Sequence, residues 1–245
     1  MTKVFAHRGF SGCYPENTML AFEKAIELGA DGLETDVHLT KDGQVVMIHD
    51  ESPYRTTGDK GLVMDYTLEE LRKFDASYKD RFGDKFSNNP IPTLREYFEL
   101  VSRHDGFMTN IEVKTDRILY KGIEEAVLEL IDEFSLRDRI IISSFNHHTV
   151  KRFKELAPDI KCGFLVGDWI INVGSYTKSQ GIECIHPPYY QLTDELHPEI
   201  KNAGREINTW TVNEEADIKR MIDLGVDCII GDYPDRALRA LGRTK

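Results

Sequence analysis

The stretch "GLETDVHLTKDGQVVMIHD" (residues 32–50) holds two runs of strand-forming residues separated by Asp42-Gly43. Asp-Gly between apolar runs is the residue pair of a tight hairpin, so "VVMIH" (45–49) is expected to return antiparallel to "GLETDV" (32–37). With Asp42 and Gly43 as the two loop residues, Lys41 faces Gln44, and counting back sets His49 opposite Asp36. A one-residue slip would turn His49 to the other face.

Outside this hairpin the runs are too widely spaced for tight turns. They are "KVFAH" (3–7), "FMTNIEVK" (107–114), "RIIISSF" (139–145), "KCGFLVG" (161–167), "IECIHP" (182–187), "EINTWTV" (206–212) and "VDCIIG" (226–231). Between most of them lie helical patterns, such as "TMLAFEKAIELGA" (18–30) and "NEEADIKRMIDLG" (213–225), closed by Gly29 and Gly225. Strand then helix, repeated to the end, calls for a parallel sheet covered by helices, and this many units predicts closure into a (β/α)8 TIM barrel. "VVMIH" is the strand in excess of eight, because a crossover to a parallel strand cannot fit in its turn. The 245 residues suit one such domain, 1–245. Residues 50–92 break the alternation with "RTTGDKG", the helix-like "TLEELRKF" and the loop-rich "SYKDRFGDKFSNNPIP". So long an irregular segment is expected to be a functional cap.

Forty-two acidic residues against 31 basic ones, a formal charge of -11, exclude a surface that collects nucleic acid. An anionic substrate would need cations placed locally. No apolar segment reaches membrane-spanning length. The start "MTKVFAHR" offers no secretory signal. Cys13, Cys162, Cys184 and Cys228 share no metal or redox spacing and read as free thiols. A cytoplasmic location is the expectation.

Glu34 and Asp36 lie two apart in a strand and point to one side, where paired carboxylates suit a hard cation such as Mg or Ca, with Mn also compatible. Pairs at this spacing arise by chance in so acidic a chain, but "NIEVK" adds Glu112 and Lys114 with the same period. His7 and Arg8 end the first strand, where a barrel carries its active-site loops. Two imidazoles, His7 and His49, suit the acid and base of one reaction, and Arg8 and Lys114 suit an anion. A metal, two cations, two imidazoles and no activated nucleophile describe phosphoester hydrolysis better than acyl transfer. Ser11 and Cys13 sit in a Gly-containing loop, where a turn role ranks ahead of that of a covalent nucleophile.

Ten segments, "AHRG", "PENT", "LETDV", "TKDG", "VVMIHD", "RTTG", "IPTL", "IEVK", "NTWTVN" and "IIGDYPD", occur in this order over essentially the whole chain. Together the series resembles the bacterial glycerophosphodiester phosphodiesterases, which implies a barrel of the phosphoinositide-phospholipase-C-like kind with residues 50–92 as the family's small insertion. The resemblance implies one divalent cation held by Glu34, Asp36 and Glu112, acid/base catalysis by His7 and His49, and phosphate contact by Arg8 and Lys114. It implies hydrolysis of glycerophosphocholine or glycerophosphoethanolamine to sn-glycerol 3-phosphate and an alcohol. Lysophospholipids are the runner-up substrates, and a non-catalytic phosphodiester-binding module ranks below both. The oligomeric state is left open.

Glu16 and Asn17 match the family's "EN" element and are expected to brace the first loop, with Asn17 doubling as a helix N-cap. Trp210 is a candidate apolar wall for the glycerol or alcohol group, with core packing as the alternative. His186 reads as structural ahead of facing the leaving group, and His38 as a support behind the acidic pair. Asp232 reads with Pro234 as a helix-start device. His104, His147, His148 and His197 are assigned to the surface.

Overall fold

The structure, a computed structural model, describes residues 1–243. Nine strands form: β1 Lys3–His7, β2 Gly32–Leu39, β3 Val45–Met47, β4 Met108–Val113, β5 Ile140–Ser144, β6 Lys161–Leu165, β7 Cys184–His186, β8 Glu206–Thr209 and β9 Cys228–Gly231. Eight are parallel in the order β1-β9-β8-β7-β6-β5-β4-β2, and β1 pairs with β2 to close the ring. The result is the (β/α)8 TIM barrel that the alternation predicts.

The registers place alternate residues of each strand inside. Phe5, Ile141, Cys228 and Ile230 pack together there. One step towards the strands' C-terminal ends the lining turns polar: His7 lies beside Glu34, Glu34 beside Asn110, and Asp36 beside Glu112. The opposite sheet face carries Val4, Ala6, Leu33, Val37, Ile111, Val113 and Ile142, packed against Phe22, Ala25, Ile123 and Phe153 of the outer helices. The apolar plug and apolar jacket together remove a large area from water, and the polar layer with His7 and the acidic cluster lies towards the strands' C-terminal ends.

The first helix, Met19–Leu28, buries Ala21, Phe22 and Ala25, and ends at Gly29 in the left-handed conformation. Its N-cap is Thr18, whose side chain accepts from the Ala21 N–H, so Asn17 is not the cap.

The hairpin forms, with a different register from the one Asp42-Gly43 suggests. Val37 pairs with Met47, His38 with Val46 and Leu39 with Val45, and Thr40 N–H donates to the Gln44 carbonyl. The loop therefore has three residues, Lys41 to Gly43, with Gly43 at φ +77°. This is the three-residue hairpin with a glycine in the left-handed position. Asp36 now stands opposite Ile48, whose N–H donates to its carbonyl, rather than His49. His49 still reaches the site because β3 ends at Met47 and the chain turns after it.

β2 is longer than its neighbour. β1 accompanies it only to Glu34, and β3 joins it at Val37, along the side β1 has left. From β3 the chain enters residues 50–92, which form short helical turns around a small core of Val46, Ile48, Val63, Leu71, Ala76 and Ile91. A side chain on Gly163 would meet the His186 ring, with Cβ 2.3 Å from its Nε2, so the barrel wall needs glycine there. Gly163→Ala should lower the unfolding free energy by about 1–3 kcal/mol; an unchanged urea midpoint would contradict this packing.

Candidate active site

The acidic cluster lies where β2 and β4 run side by side. Carboxylate oxygens of Glu34, Asp36 and Glu112 all fall within 4.8 Å of one another, and all three residues are buried. Glu34 Oε1 has no hydrogen-bond partner among the described residues. Asp36 accepts from Asn17 Nδ2 at 2.9 Å, lies 3.0 Å from Lys114 Nζ and 3.4 Å from Arg8 Nε. Lys114 also donates to Glu112.

Burial raises all three carboxyls, and the cluster divides them. Glu34 is raised well above the usual range by burial and by the charges of Asp36 and Glu112. Glu112 is raised by burial too, with Lys114 opposing. At Asp36 the charges of Lys114, His49 and Arg8 and the Asn17 hydrogen bond overcome burial and hold it well below its usual value. One buried carboxyl with an orphan oxygen, beside a firmly ionised one, is the donor chemistry of a hard-cation site, and these residues fit one.

Both histidines named above line one small cavity of about 80 Å³, together with Arg8, Glu34, Asn110, Glu112, Lys114, Phe145, Leu165, His186 and Trp210. His7 Nδ1 lies 2.6 Å from Asp232 Oδ1, and His49 Nδ1 lies 2.5 Å from Asp50 Oδ1. Hydrogen bonds hold both aspartates below the usual carboxylate range against the opposing effect of burial, from His7, Asn213 and Ser11 for Asp232 and from His49 and Arg55 for Asp50. An ionised carboxylate only accepts, so each Nδ1 carries the hydrogen and each Nε2 is the unprotonated nitrogen of a neutral ring. His7 Nε2 is 3.8 Å from Glu34 Oε2.

Asp232 was expected to start a helix. It instead accepts from His7, from Ser11 Oγ at 3.0 Å and from Asn213 Nδ2 at 2.7 Å, while Tyr233 precedes Pro234 at the helix start. Arg8 has positive φ, +55°, and its N–H donates to the Glu34 carbonyl. Its guanidinium reaches Glu16 at 2.8 Å. Asn17, at φ +52°, joins the β1 loop to β2 by donating to Asp36 and accepting from Thr35 Oγ1. Glu16 and Asn17 thus lie where a brace of the first loop would lie.

Arg55, which sequence reasoning passed over, spans Glu16 and Asp50 with contacts of 2.6 to 3.2 Å. His38 Nε2–H donates to the His49 carbonyl at 3.1 Å, and its Nδ1 accepts from Tyr120 at 2.8 Å, consistent with burial keeping the ring neutral. His186 is fully buried; burial lowers its pKa to about 3, and Asn208 Nδ2 donates to its Nε2. A ring this firmly neutral forms cavity wall and exchanges no proton near neutral pH. Trp210 lines the cavity and packs edge-on against Phe145, with ring centroids 5.7 Å apart. Of the four remaining histidines only His148 is exposed. His147 departs furthest from a surface role, stacking on Phe164 and Tyr176 and bonding Leu165 O. The four cysteines are free.

Three comparisons bear on this arrangement. Residues 7–236 match the model of the glycerophosphoryl diester phosphodiesterase family. A glycerophosphodiester phosphodiesterase of Caldanaerobacter subterraneus is 46% identical over 96% of this chain and 95% of its own, and one of Bacillus altitudinis is 46% identical over 98% of each. A phosphodiesterase of Oleispira antarctica, solved in complex with the product sn-glycerol-3-phosphate, superposes with a TM-score of 0.91 at 30% identity, over 99% of this chain and 97% of that one.

The Asp232 carboxyl gives a signed expectation. Because its folded pKa is depressed, its stabilisation is complete above the ordinary Asp value of about 4 and is lost as pH falls beneath that. Asp232→Asn should cost about 1–3 kcal/mol at pH 7, and its urea midpoint should converge on that of the parent towards pH 2. Parallel curves would mean that Asp232 is not ionised in the fold.

Proposed function

We propose how this chain, which belongs to the glycerophosphoryl diester phosphodiesterase family and is an enzyme cleaving glycerophosphodiesters, divides that reaction among its residues. Glu34, Asp36 and Glu112 would hold one divalent cation, Mg, Ca or Mn. Such a cation polarises a phosphoryl oxygen and offsets developing charge. Arg8 and Lys114 flank the same carboxylates and line the same cavity, so they neutralise a phosphodiester that a protein of charge -11 would otherwise repel. His7 and His49 serve as the acid/base pair. One Nε2 takes the proton of the attacking group, water or the substrate's own neighbouring hydroxyl, and the other gives a proton to the leaving alkoxide; attack by the hydroxyl leaves a cyclic phosphate that water then opens. Trp210 and Phe145 form the apolar side against the glycerol or alcohol carbons. Glycerophosphocholine and glycerophosphoethanolamine are the substrates, and sn-glycerol 3-phosphate the product. The free thiols suit a reducing compartment, the cytoplasm.

The observation that carries this reading is the paired design of the histidines. Each has a carboxylate on Nδ1, and both stand on one cavity with the acidic cluster. His7→Ala and His49→Ala should each lower kcat for glycerophosphocholine by about 100-fold or more with the fold intact. Near-normal release of sn-glycerol 3-phosphate by both variants would refute the pair.

Cation binding has its own readout. Glu34 must lose its proton to act as a ligand, and burial makes that proton hard to lose. Mg, Ca or Mn should therefore raise the melting temperature of EDTA-treated protein more at pH 8 than at pH 5, and Glu34→Gln should abolish most of the rise. A pH-independent shift that survives Glu34→Gln would place the cation elsewhere.

One observation favours lysophospholipids as further substrates. The loop after β6, on the rim that carries the site, exposes Trp169 and Ile171, at 62% and 89% of their surface. Gly167, two residues earlier, adjoins the Phe145 ring of the cavity. An acyl chain leaving the glycerol would find apolar cover there. Trp169→Ser with Ile171→Ser should then slow choline release from lysophosphatidylcholine while leaving glycerophosphocholine turnover unchanged. Equal effects on both substrates would exclude the loop as an acyl subsite.

A further inference from the structure

Arg55 lies in the helical turn Tyr54–Thr57, inside the 50–92 segment and outside the barrel. Its guanidinium engages two carboxylates at once. Nε and Nη2 contact Asp50 Oδ2 and Oδ1 at 2.6 and 3.2 Å; Nη1 and Nη2 contact Glu16 Oε2 and Oε1 at 2.8 Å each. The Tyr78 ring lies over the guanidinium, 5.3 Å away. Each carboxylate has a second duty. Asp50 holds His49 Nδ1 at 2.5 Å, and Glu16 Oε1 accepts from Arg8 Nη1 at 2.8 Å.

We infer that Arg55 is a positioning residue that fixes the His49 imidazole and the Arg8 guanidinium together, so that the inserted segment sets the spacing between a proton-transfer group and a phosphate-binding group. The inference rests on the reading of His49 and Arg8 given above. Only a planar fork with donors on two edges can hold two carboxylates in fixed orientation, and Asp50 and Glu16 come from different loops that no strand pairing ties together. His7 has no such connection: its carboxylate, Asp232, is held by the neutral Ser11 and Asn213. His7 adjoins Arg8 in the sequence, whereas His49, on a different loop, is joined to the Arg8 guanidinium through Asp50, Arg55 and Glu16.

The test is a mutant cycle on the cation-supplemented full chain, with glycerophosphocholine as substrate. Arg55→Met should lower kcat and raise KM, with a combined loss in kcat/KM of at least about tenfold, because both tethered groups are released. Arg55→Lys, a point charge, should recover only part of this. In the parent, the effects of Asp50→Asn and Glu16→Gln on kcat/KM should deviate from additivity by about threefold or more; in the Arg55→Met background they should simply add. The His49 Nδ1–H resonance should also shift in Arg55→Met and Arg55→Lys, a readout independent of turnover. Additive effects in the parent, or Arg55→Met with kcat and KM within about twofold of the parent, would overturn the inference. Should Arg55→Met not fold, an unmoved His49 resonance in Arg55→Lys, with its kcat and KM unchanged, would overturn it equally. His49→Ala separates the two levels. If it is inactive while Arg55→Met is normal, the positioning role fails alone; if it is active, the acid/base reading itself fails.

Discussion

Three carboxylates buried within 4.8 Å of one another impose the dominant constraint on this structure. Two like charges 4 Å apart repel by about 4 kcal/mol at the effective dielectric of a protein site, and burial removes the water that would otherwise soften this. The surrounding residues answer that cost. Lys114 lies against Asp36 and Glu112, Arg8 against Asp36, and Asn17 donates to Asp36, while Glu34 keeps an oxygen with no partner among the described residues. The cluster thus leaves room for one more positive charge, which the cation proposed above would supply.

The second organising feature is the matched pair of imidazole–carboxylate contacts. Asp232 and Asp50 reach His7 and His49 from different directions, one from the end of β9 and the other from the residue next in sequence. Their surroundings differ in charge: Asp50 is countered by Arg55, whereas Asp232 is held by neutral donors. The two rings therefore sit in unequal fields although their local geometry is alike.

The strands and the acidic cluster were legible because they depend on local pattern. Runs of Val, Ile and aromatics mark β1 to β9, and the period of two puts Glu34 with Asp36 on one face. The hairpin register was missed by one residue, because Asp-Gly serves both two- and three-residue loops and only the Thr40–Gln44 pairing distinguishes them. Asn17 yields the cap to Thr18 because its amide is engaged with Asp36 and Thr35. Asp232 was misread because its partner lies 225 residues away. Barrel closure could have exposed it, since β9 must run beside β1 and bring its end to His7. Arg55 left no periodic signal, being placed by the fold of an irregular segment.

The extra length of β2 has a further meaning. Since β3 pairs with a part of β2 that β1 never reaches, the whole excursion from residue 45 to residue 92 hangs from the rim without interrupting any of the eight parallel ladders. The barrel and its outgrowth are topologically separable. The part of the segment beyond His49, Asp50 and Arg55 can therefore vary in length while the eight ladders stay as they are, which gives the architecture an insertion port beside the site.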